Sequence, residues 1–266
     1  MDKSNIIQKY KKEDERLLVS KLLDKIQAIE NQNKIQYTDF LNSIEIALLE
    51  KVLKMIGFKN YIIYGGNQNS QRKLIIMFPS KLENIFNDNN FDFNTIINCI
   101  RIQNLDENIE HKNILGGLIK LGVKREKIGD IIIHNNNADV VVAKEITKFL
   151  MSNLSQLTRF KNANIDVIKI SEMVSKEQVF EDMKIMVSSF RLDNIVSELA
   201  KTSRSKSIEI INQERVFVNY ESEMKATKLV KEKDVITIRG KGKFIIDEIV
   251  ANTRSGRFVI NVKKYV

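Results

Sequence analysis

The stretch of sequence that decides the fold is SSFRLDNIVSELAKTSRSKSIEIINQERVFVN, residues 188–219. Its first half carries apolar residues at three- and four-residue steps, which predicts an amphipathic helix. These apolar residues are Leu192, Ile195, Val196 and Leu199. Ser203 is a good helix-capping residue and predicts the start of a second helix, in which Ile208 and Ile211 face inward.

Three cations lie where helix physics disfavours them. Arg191 is at the start of the first predicted helix, and Arg204 and Lys206 are in the first turn of the second. A helix N-terminus carries partial positive charge, so a cation there costs about 0.3–1 kcal/mol. We therefore expect an anion such as a phosphate to complete the site. The alternative is that these side chains simply bend away into solvent.

The net charge of the chain is concentrated in the same region. The whole chain of 266 residues carries +9, with 43 Lys and Arg against 34 Asp and Glu. Residues 188–266 hold 16 of these cations and 10 of these acids, which gives +6. Two-thirds of the surplus thus lies in less than a third of the chain, which favours a C-terminal module that binds an anionic partner.

Strands and a basic turn follow the two helices. Alternating residues predict strands at 215–219 and 234–239. The run RGKGK (239–243) comes next, and Gly240 and Gly242 would allow close approach of a backbone. As a generic motif this run is weak, and it gains value from its place in the basic module.

Four blocks of this module together resemble the S4 RNA-binding domain. They are RLD (191–193), SRSKS (203–207), VFVN (216–219) and KDVI (233–236) followed by Arg239. The segment HKNILGGLIKLGVKREKIGDI (111–131) resembles the middle-domain signature of the YlmH-like S4 proteins, and residues 236–266 resemble their C-terminus. The resemblance covers most of the chain and is weak only in the N-terminal helices.

The resemblance implies a three-part bacterial protein of the cytoplasm that binds RNA. Its family is associated with the large ribosomal subunit, with rescue of stalled ribosomes still carrying peptidyl-tRNA, and with cell division through gene neighbourhood. The implied partners are rRNA, tRNA or both. By position, the residues implied to contact RNA are Arg191, Ser203, Arg204 and Lys206, with Arg239, Lys241 and Lys243 continuing the surface.

Three positions depart from the S4 pattern. S4 domains commonly have glycine where Glu214, Tyr220 and Lys233 stand in this chain. Glycine there marks a turn with positive φ. Either these turns are reshaped, or strain on the order of 1 kcal/mol is tolerated. Glu214 also adds a negative charge near the expected phosphate surface.

The middle of the chain predicts the order βαββαβ, which is that of a ferredoxin-like, or RRM-like, domain. The predicted strands are 95–103, 129–135, 138–144 and 164–170, and the helices are 111–122 and 145–157. RNA-recognition modules stack bases on aromatic residues of the central strands. IINCIRIQ and ADVVVAK carry none, so we interpret this domain as one for packing or protein contact. Gly116 and Gly117 are ascribed to close packing of the first helix on the sheet.

The N-terminal part predicts helices and a hairpin. Apolar residues recur at helical steps over 17–26 and 44–55, and Gly57 ends the second helix. Strands at 61–64 and 73–78 are joined by GGNQNSQ, which lacks the Lys-Ser/Thr of a phosphate loop and fits a hairpin turn.

The overall prediction is an α+β chain of three domains. The N-terminal helical segment with its β-hairpin spans 1–80, the ferredoxin-like middle domain 81–180, and the S4 domain with a C-terminal β-hairpin 181–266. The charged stretch 171–187 is helix-compatible and is expected to join the last two.

Composition excludes several other classes of protein. One cysteine, Cys99, and two histidines, His111 and His134, are too few for a zinc site or a disulfide framework. The lack of a long apolar run and of a signal peptide predicts a cytoplasmic protein without membrane contact. We expect no cofactor, no metal and no small-molecule substrate.

Two alternatives to a non-enzymatic RNA binder remain open. An RNA-modifying enzyme is disfavoured, because RLD (191–193) lacks the glycine frame of a pseudouridine synthase and no catalytic set is visible, so we expect no catalytic residue. Cys99 is read as a small core residue, His111 as a helix-start residue and His134 as a turn residue. A protein-interaction scaffold, for example in cell division with the middle domain as contact surface, is supported by the sheet without aromatics.

Overall fold

The computed structural model describes residues 3–88, 90–175, 179–252 and 256–266. The chain forms two compact units, Met1–Lys176 and Glu177–Val266, called here the N-terminal and the C-terminal unit. Helices and antiparallel sheets occur in both units, so the predicted mixed α+β class is confirmed. The division into three domains stays a prediction.

The N-terminal unit begins with helices around a small sheet. The helices are α1 (Lys3–Ile7), α2 (Glu13–Gln32), α3 (Ser43–Met55) and α4 (Glu83–Asn87). The strands are β1 (Gln36–Tyr37), β2 (Tyr61–Tyr64) and β3 (Leu74–Met77), in the order β1-β3-β2. Both predicted long helices and the predicted hairpin are present. Gly57 ends α3 with φ 71°, and the next residue, Phe58, donates its N–H to the Leu53 carbonyl at 3.0 Å.

The buried faces of these helices agree only in part with those suggested by the spacing. Leu22, Ile26 and Val52 are in the core as expected, together with Val19, Ile46 and Leu49. In contrast, Leu17 in α2 is 57% exposed and Met55 in α3 is 40% exposed. Both helices carry apolar residues over more than one face, so periodicity alone does not fix the buried side.

The rest of the N-terminal unit is a four-stranded antiparallel sheet with two helices. Its elements are β4 (Ile97–Gln103), α5 (His111–Lys120), β5 (Ile128–His134), β6 (Asn137–Ala143), α6 (Lys144–Asn153) and β7 (Asn164–Ile168). Along the chain they follow the order βαββαβ, and across the sheet the order is β5-β6-β4-β7. The central pair, β4 and β6, is antiparallel over Ile97↔Ala143 to Ile102↔Ala138.

Both faces of this sheet are buried within the N-terminal unit. On one face, Ile100 and Ile102 pack in a cluster with residues of α5 and α6. On the other face, Ile97, Cys99 and Val141 pack in a cluster that includes residues of β3 and α4. The other members of this cluster are Phe40, Leu74, Ile76, Phe78, Phe86, Ile96, Ile132, Ala143, Ile170 and Met173. The face on which an RNA-recognition module would stack bases is therefore covered by the same chain.

Cys99 is a core residue, as its apolar neighbours predict. Its side chain is buried, and burial raises the pKa of the thiol to about 12. A thiol that stays protonated is a poor nucleophile. The sequence interpretation of Cys99 as a packing residue agrees with this environment.

The two helix glycines have different surroundings. A side chain at Gly117 would meet the Phe160 ring at 3.0 Å and Leu157 at 3.2 Å, so Gly117 allows α5 to approach the segment after α6. A side chain at Gly116 would meet nothing within 4 Å. The packing explanation is thus wrong for Gly116, and for Gly117 the close contact is with this segment.

The C-terminal unit combines two short helices with a six-stranded sheet in its described residues. The elements are β8 (Phe180–Val187), α7 (Leu192–Leu199), α8 (Arg204–Asn212), β9 (Val216–Val218), β10 (Glu221–Ser222), β11 (Val235–Ile238), β12 (Gly242–Asn252) and β13 (Phe258–Tyr265). The order across the sheet is β10-β9-β11-β12-β13-β8. The core lies between the helices and this sheet, and it contains all four apolar residues that predicted α7.

The prediction of a helix-compatible link over 171–187 is wrong for its second half. Residues 180–187 form β8, which pairs with β13 from Phe180↔Tyr265 to Val187↔Phe258. From Lys184 to Val187, Lys184 and Met186 are exposed and Ile185 and Val187 are buried, which is the alternation of a strand. Tertiary pairing here overrides the helix compatibility of the charged residues. Residues 176–178 of this stretch lie outside the described residues.

Candidate nucleic-acid interface

Helices α7 and α8 position the predicted site residues. The apolar face of α7 is fully buried, from Leu192 at its first turn to Leu199 at its last. Ser203 caps α8, and its hydroxyl accepts a hydrogen bond from the Lys206 N–H at 3.3 Å, as predicted. Inside α8, Ile211 is buried as predicted, but Ile210 and not Ile208 is its buried neighbour.

A buried carboxylate holds two of the predicted cations together. Asp193 is 0% exposed. Arg191 donates to it from Nε at 3.1 Å and from Nη2 at 3.0 Å, and Arg204 donates from Nε at 2.9 Å. Burial by itself would raise the pKa of the Asp193 carboxyl, but the hydrogen bonds from both arginines outweigh it and leave the pKa below its ordinary value. We call these three residues the arginine clamp.

The arginine clamp corrects the reasoning about helix starts. Arg191 and Arg204 were expected to need an external anion, yet the chain supplies one in Asp193, in the first turn of α7. Lys206 likewise has an internal partner, Glu209, at 2.6 Å. Their placement is therefore explained without a ligand. The clamp fixes the orientation of both guanidinium groups, because one carboxylate binds the two of them.

Both arginines of the clamp keep donors for another anion. The side chain of Arg204 is 52% exposed and that of Arg191 is 36% exposed. A guanidinium carries five N–H donors, and the bonds to Asp193 use those on Nε and Nη2. Among the described residues, the Nη1 group of neither arginine has a hydrogen-bond partner.

A basic cleft lies beside the clamp helices in the same unit. Its volume is about 380 Å³, and it is lined by the α7–α8 turn, one side of α8 and the turn between β11 and β12. Its cations are Lys201, Lys206, Arg215, Arg239 and Lys241. None of the described residues that line it is acidic. We call this feature the basic cleft.

The turn RGKGK shapes one wall of the basic cleft. Gly240 has φ +80° and Gly242 has φ +132°, so both adopt a conformation that favours glycine. Arg215 donates from Nη2 to the Arg239 carbonyl at 3.0 Å, and a side chain at Gly240 would come within 3.3 Å of that Nη2. The glycines here serve the turn and its contact with Arg215.

Lys243 lies in a different environment from the other predicted cations. Its Nζ is 4.8 Å from the ring centre of Tyr220 and 4.1 Å from that of Tyr265. Burial lowers the pKa of Lys243. These are cation–π distances. The lysine is thus engaged by two tyrosines, and it does not line the basic cleft.

The structure decides between the two alternatives for the missing glycines. Glu214, Tyr220 and Lys233 have φ values of 55°, 69° and 68°. The turns are therefore not reshaped, and the backbone strain is tolerated. Lys201 in the basic cleft also has positive φ, at 51°. Strain of about 1 kcal/mol at each such residue has to be offset by the surrounding packing.

Sequence reasoning missed two cations of the basic cleft, Lys201 and Arg215. Lys201 follows the end of α7 and Arg215 directly precedes β9, and neither residue belongs to the four blocks that resemble the S4 domain. The concentration of charge after residue 187 did include them, and it was the one signal that could have pointed to them. Sequence reasoning also missed the role of Asp193, because this role depends on the proximity of Asp193 to Arg204, eleven residues along the chain.

Comparison with known proteins supports the resemblance. Residues 89–172 match the family described as "Putative RNA-binding domain in YlmH". The chain is 25% identical over 261 residues, 98% of its length and 99% of the relative, to ribosome-associated protein quality control protein P2 of Bacillus subtilis (strain 168). The predicted resemblance to YlmH-like proteins is confirmed. A solved structure titled cell division protein ylmH from Streptococcus pneumoniae aligns with 62% of this YlmH-like chain and 98% of its own, at 17% identity and a TM-score of 0.48.

The described part of the chain contains neither a candidate metal site nor a candidate membrane helix. No group of three or more His, Cys, Asp or Glu side chains is arranged to hold a metal ion among the described residues. In the same ranges, no helix has the length and apolarity that a membrane span requires.

Proposed function

We propose that this YlmH-like chain is a non-enzymatic, cytoplasmic RNA-binding protein. Its C-terminal unit acts as an S4 domain that binds structured rRNA or tRNA on the large ribosomal subunit, in the rescue of stalled ribosomes. Its relative in Bacillus subtilis is named for ribosome-associated protein quality control, and the family matched by residues 89–172 is named for RNA binding. Both names support RNA and the ribosome as partners.

The observation that carries the proposal is the arginine clamp. Arg191 and Arg204 are oriented by one buried carboxylate and expose their remaining donors. A pair of preorganised guanidinium groups is suited to adjacent backbone phosphates, because little side-chain freedom is lost on binding. Phosphate contacts supply affinity, and the shape of the RNA supplies selectivity. The residues proposed to contact RNA remain Arg191, Ser203, Arg204, Lys206, Arg239, Lys241 and Lys243.

The domain names are part of the same proposal. We propose that residues 81–180 form a ferredoxin-like domain, which the order βαββαβ and the strand order of the sheet support. Residues of the N-terminal segment cover the second face of this sheet. Any RNA contact by this domain would therefore use surfaces other than that face of the sheet. The C-terminal unit is proposed as the principal contact.

A salt titration tests the proposal directly. The intact protein is titrated with purified tRNA and with purified large ribosomal subunits at several salt concentrations. We expect affinity to fall steeply with salt, and Arg204→Ala to lower both the affinity and the slope, by about one unit of the slope. Lys225→Ala, a change of equal charge at an exposed position outside the clamp and the cleft, is the matched control. Binding without salt dependence, or equal loss in both variants, would contradict the proposal.

A second experiment identifies the RNA and tests the alternatives. Sequencing of RNA crosslinked to the intact protein in cells is expected to recover rRNA of the large subunit, tRNA or both. RNA modifications are also compared between a deletion strain and its complemented counterpart. We expect the two strains to have the same modifications, and a modification missing from the deletion strain would favour an enzyme. The scaffold alternative took the middle domain as its contact surface and was supported by the lack of stacking aromatics on the sheet. One face of that sheet is covered within the N-terminal unit.

A further inference from the structure

We propose that the basic cleft holds a single unpaired nucleotide of the bound RNA. This inference rests on the proposed function, because it names the part of an RNA that the C-terminal unit would take. It goes beyond contact with the RNA backbone, since a nucleotide in the cleft is bound through its base as well as its phosphate.

The basic cleft differs from a flat basic surface in its size. A volume of about 380 Å³ lies within the ~300–1,000 Å³ of typical small-molecule sites. A phosphate alone needs no such volume, and backbone contacts on a convex surface need no cavity. The cleft therefore has room for a group larger than phosphate.

The lining of the basic cleft combines the three chemistries of a nucleotide. Its apolar residues, Ala200, Ile210 and Ile238, are core residues exposed by 3%, 8% and 1%, so an inserted base would touch only their outer edges. Two neutral polar side chains, Thr202 and Gln213, can hydrogen-bond base edges. The five cations of the cleft suit the flanking phosphates.

Three of the five cations that line the basic cleft have side-chain contacts within the unit. Arg239 lies with its guanidinium carbon 5.0 Å from the ring centre of Phe217, and Arg215 is bonded to the turn that carries Arg239. Lys206 is paired with Glu209 on α8. Such anchoring reduces the conformational entropy lost when a ligand binds.

An unpaired nucleotide is favoured over a duplex by access. In an A-form helix the bases are stacked and paired, and side chains read them poorly. Bases in loops and bulges can turn outward and enter a cavity. The cleft has no aromatic lining residue, so an inserted base would lie against aliphatic side chains and would not be stacked between rings.

The test compares three short RNA hairpins on the intact protein. They have the same stem and differ in one site, which is fully paired, carries a bulged adenosine, or carries an abasic bulge. We expect the bulged adenosine to bind about tenfold more tightly than the other two, because its base loses contact with water when it enters the cleft. Adenosine 5′-monophosphate alone is included as a free nucleotide and is expected to bind far more weakly.

Two variants locate the effect without removing a charge. Gln213→Trp adds a ring to a residue that lines the cleft and should abolish the preference for the bulged adenosine. Asn212→Trp adds the same ring one residue earlier, at an exposed position outside the cleft lining, and should leave the preference intact. Equal thermal unfolding of both variants confirms that each is folded.

The outcomes separate this inference from the proposed function. Salt-dependent binding of all three hairpins with equal affinity would overturn the cleft assignment and leave RNA binding intact. Equal binding of the abasic and adenosine bulges, or a preference that survives Gln213→Trp, would also overturn it. If free adenosine 5′-monophosphate bound as tightly as the bulged hairpin, the assignment of the nucleotide in the cleft to an RNA would be overturned. Failure to bind any RNA would overturn both proposals.

Discussion

Each unit of the molecule contains one fully buried aspartate that binds arginine, and the two arrangements differ in what they leave exposed. In the N-terminal unit, Asp139 accepts from Arg101 Nε at 2.7 Å and from Nη2 at 2.8 Å, and from the Val174 N–H at 2.9 Å. Its remaining neighbour is His134, whose Nε2 lies 3.3 Å from Oδ1. In the C-terminal unit, Asp193 binds Arg191 and Arg204.

The difference teaches how a buried ion pair can serve structure or recognition. Arg101 is only 23% exposed, and its Nη2 donates to the Glu172 carbonyl as well as to Asp139, both within the unit. The side chains of Arg191 and Arg204 are more exposed, at 36% and 52%. A buried carboxylate thus binds a mostly buried arginine at one site and two more exposed arginines at the other. We interpret the Asp139 site as structural and the Asp193 site as part of the proposed RNA contact.

The largest expected effect is on stability at the closed site. Asp139→Asn removes the charge that compensates Arg101 and should lower the free energy of unfolding by about 3 kcal/mol. RNA affinity of the folded protein should stay unchanged. Urea denaturation measures the first and a binding titration the second, with Asp106→Asn at an exposed position as control. A loss of RNA affinity in the folded Asp139 variant would break the comparison.

The next effect combines stability and pH at the arginine clamp. The folded-state pKa of Asp193 is lowered, so its stabilising contribution is present above the unfolded value of about 3.9 and is lost as pH falls through the folded-state value. Asp193→Asn should lower the free energy of unfolding by about 2 kcal/mol at neutral pH and reduce the loss of stability in acid. RNA affinity should also fall. Denaturation at several pH values checks this, and a variant with unchanged RNA affinity would contradict the role given to the clamp.

A smaller effect distinguishes arginine geometry from charge. Arg204→Lys keeps the charge but loses the planar guanidinium, and we expect RNA affinity to fall about threefold with an unchanged salt slope. Arg101→Lys should leave RNA affinity unchanged and lower only stability. Fluorescence titration of both variants against the same tRNA measures the contrast. Equal affinities of Arg204→Lys and the unchanged protein would reduce the clamp to a simple charge.

The smallest effect concerns backbone strain. In the described part of the N-terminal unit, the non-glycine residues with positive φ are asparagines: Asn33, Asn104 and Asn135. Asparagine tolerates this conformation well, whereas glutamate at Glu214 does not. Glu214→Gly should raise the free energy of unfolding by about 0.5 kcal/mol, and Asn135→Gly should leave it nearly unchanged. Thermal unfolding of both measures the contrast, and a destabilised Glu214→Gly would show that its side chain contributes more than its backbone costs.

The order of elements could be predicted where sequence patterns are local. The strands and helices of the βαββαβ region lie close to their predicted ranges, because short loops such as that between His134 and Asn137 separate clear apolar runs. Helix α7 and the cap at Ser203 were predicted from spacing and from one hydroxyl. These signals depend on neighbours within a few residues.

The errors arose where distant residues decide the structure. Residues 180–187 form a strand because β13, far along the chain, pairs with them. The meaning of Arg204 changed because Asp193 reaches it from another helix. His134 was read as a turn residue, yet it ends β5 within 3.3 Å of buried Asp139. No local pattern of charge or hydropathy contains these distances.

The place of β13 in the sheet has a consequence for synthesis. β13 lies between β12 and β8, so β8 gains its only strand neighbour among the described residues once Tyr265 has been made. While the residues between β8 and β13 are being translated, β8 therefore has no strand to pair with among the described residues. Its exposed charges, Glu181, Asp182 and Lys184, are of the kind that discourages pairing with a wrong strand. We therefore expect the C-terminal unit to complete its fold late, after the nascent chain has passed residue 265.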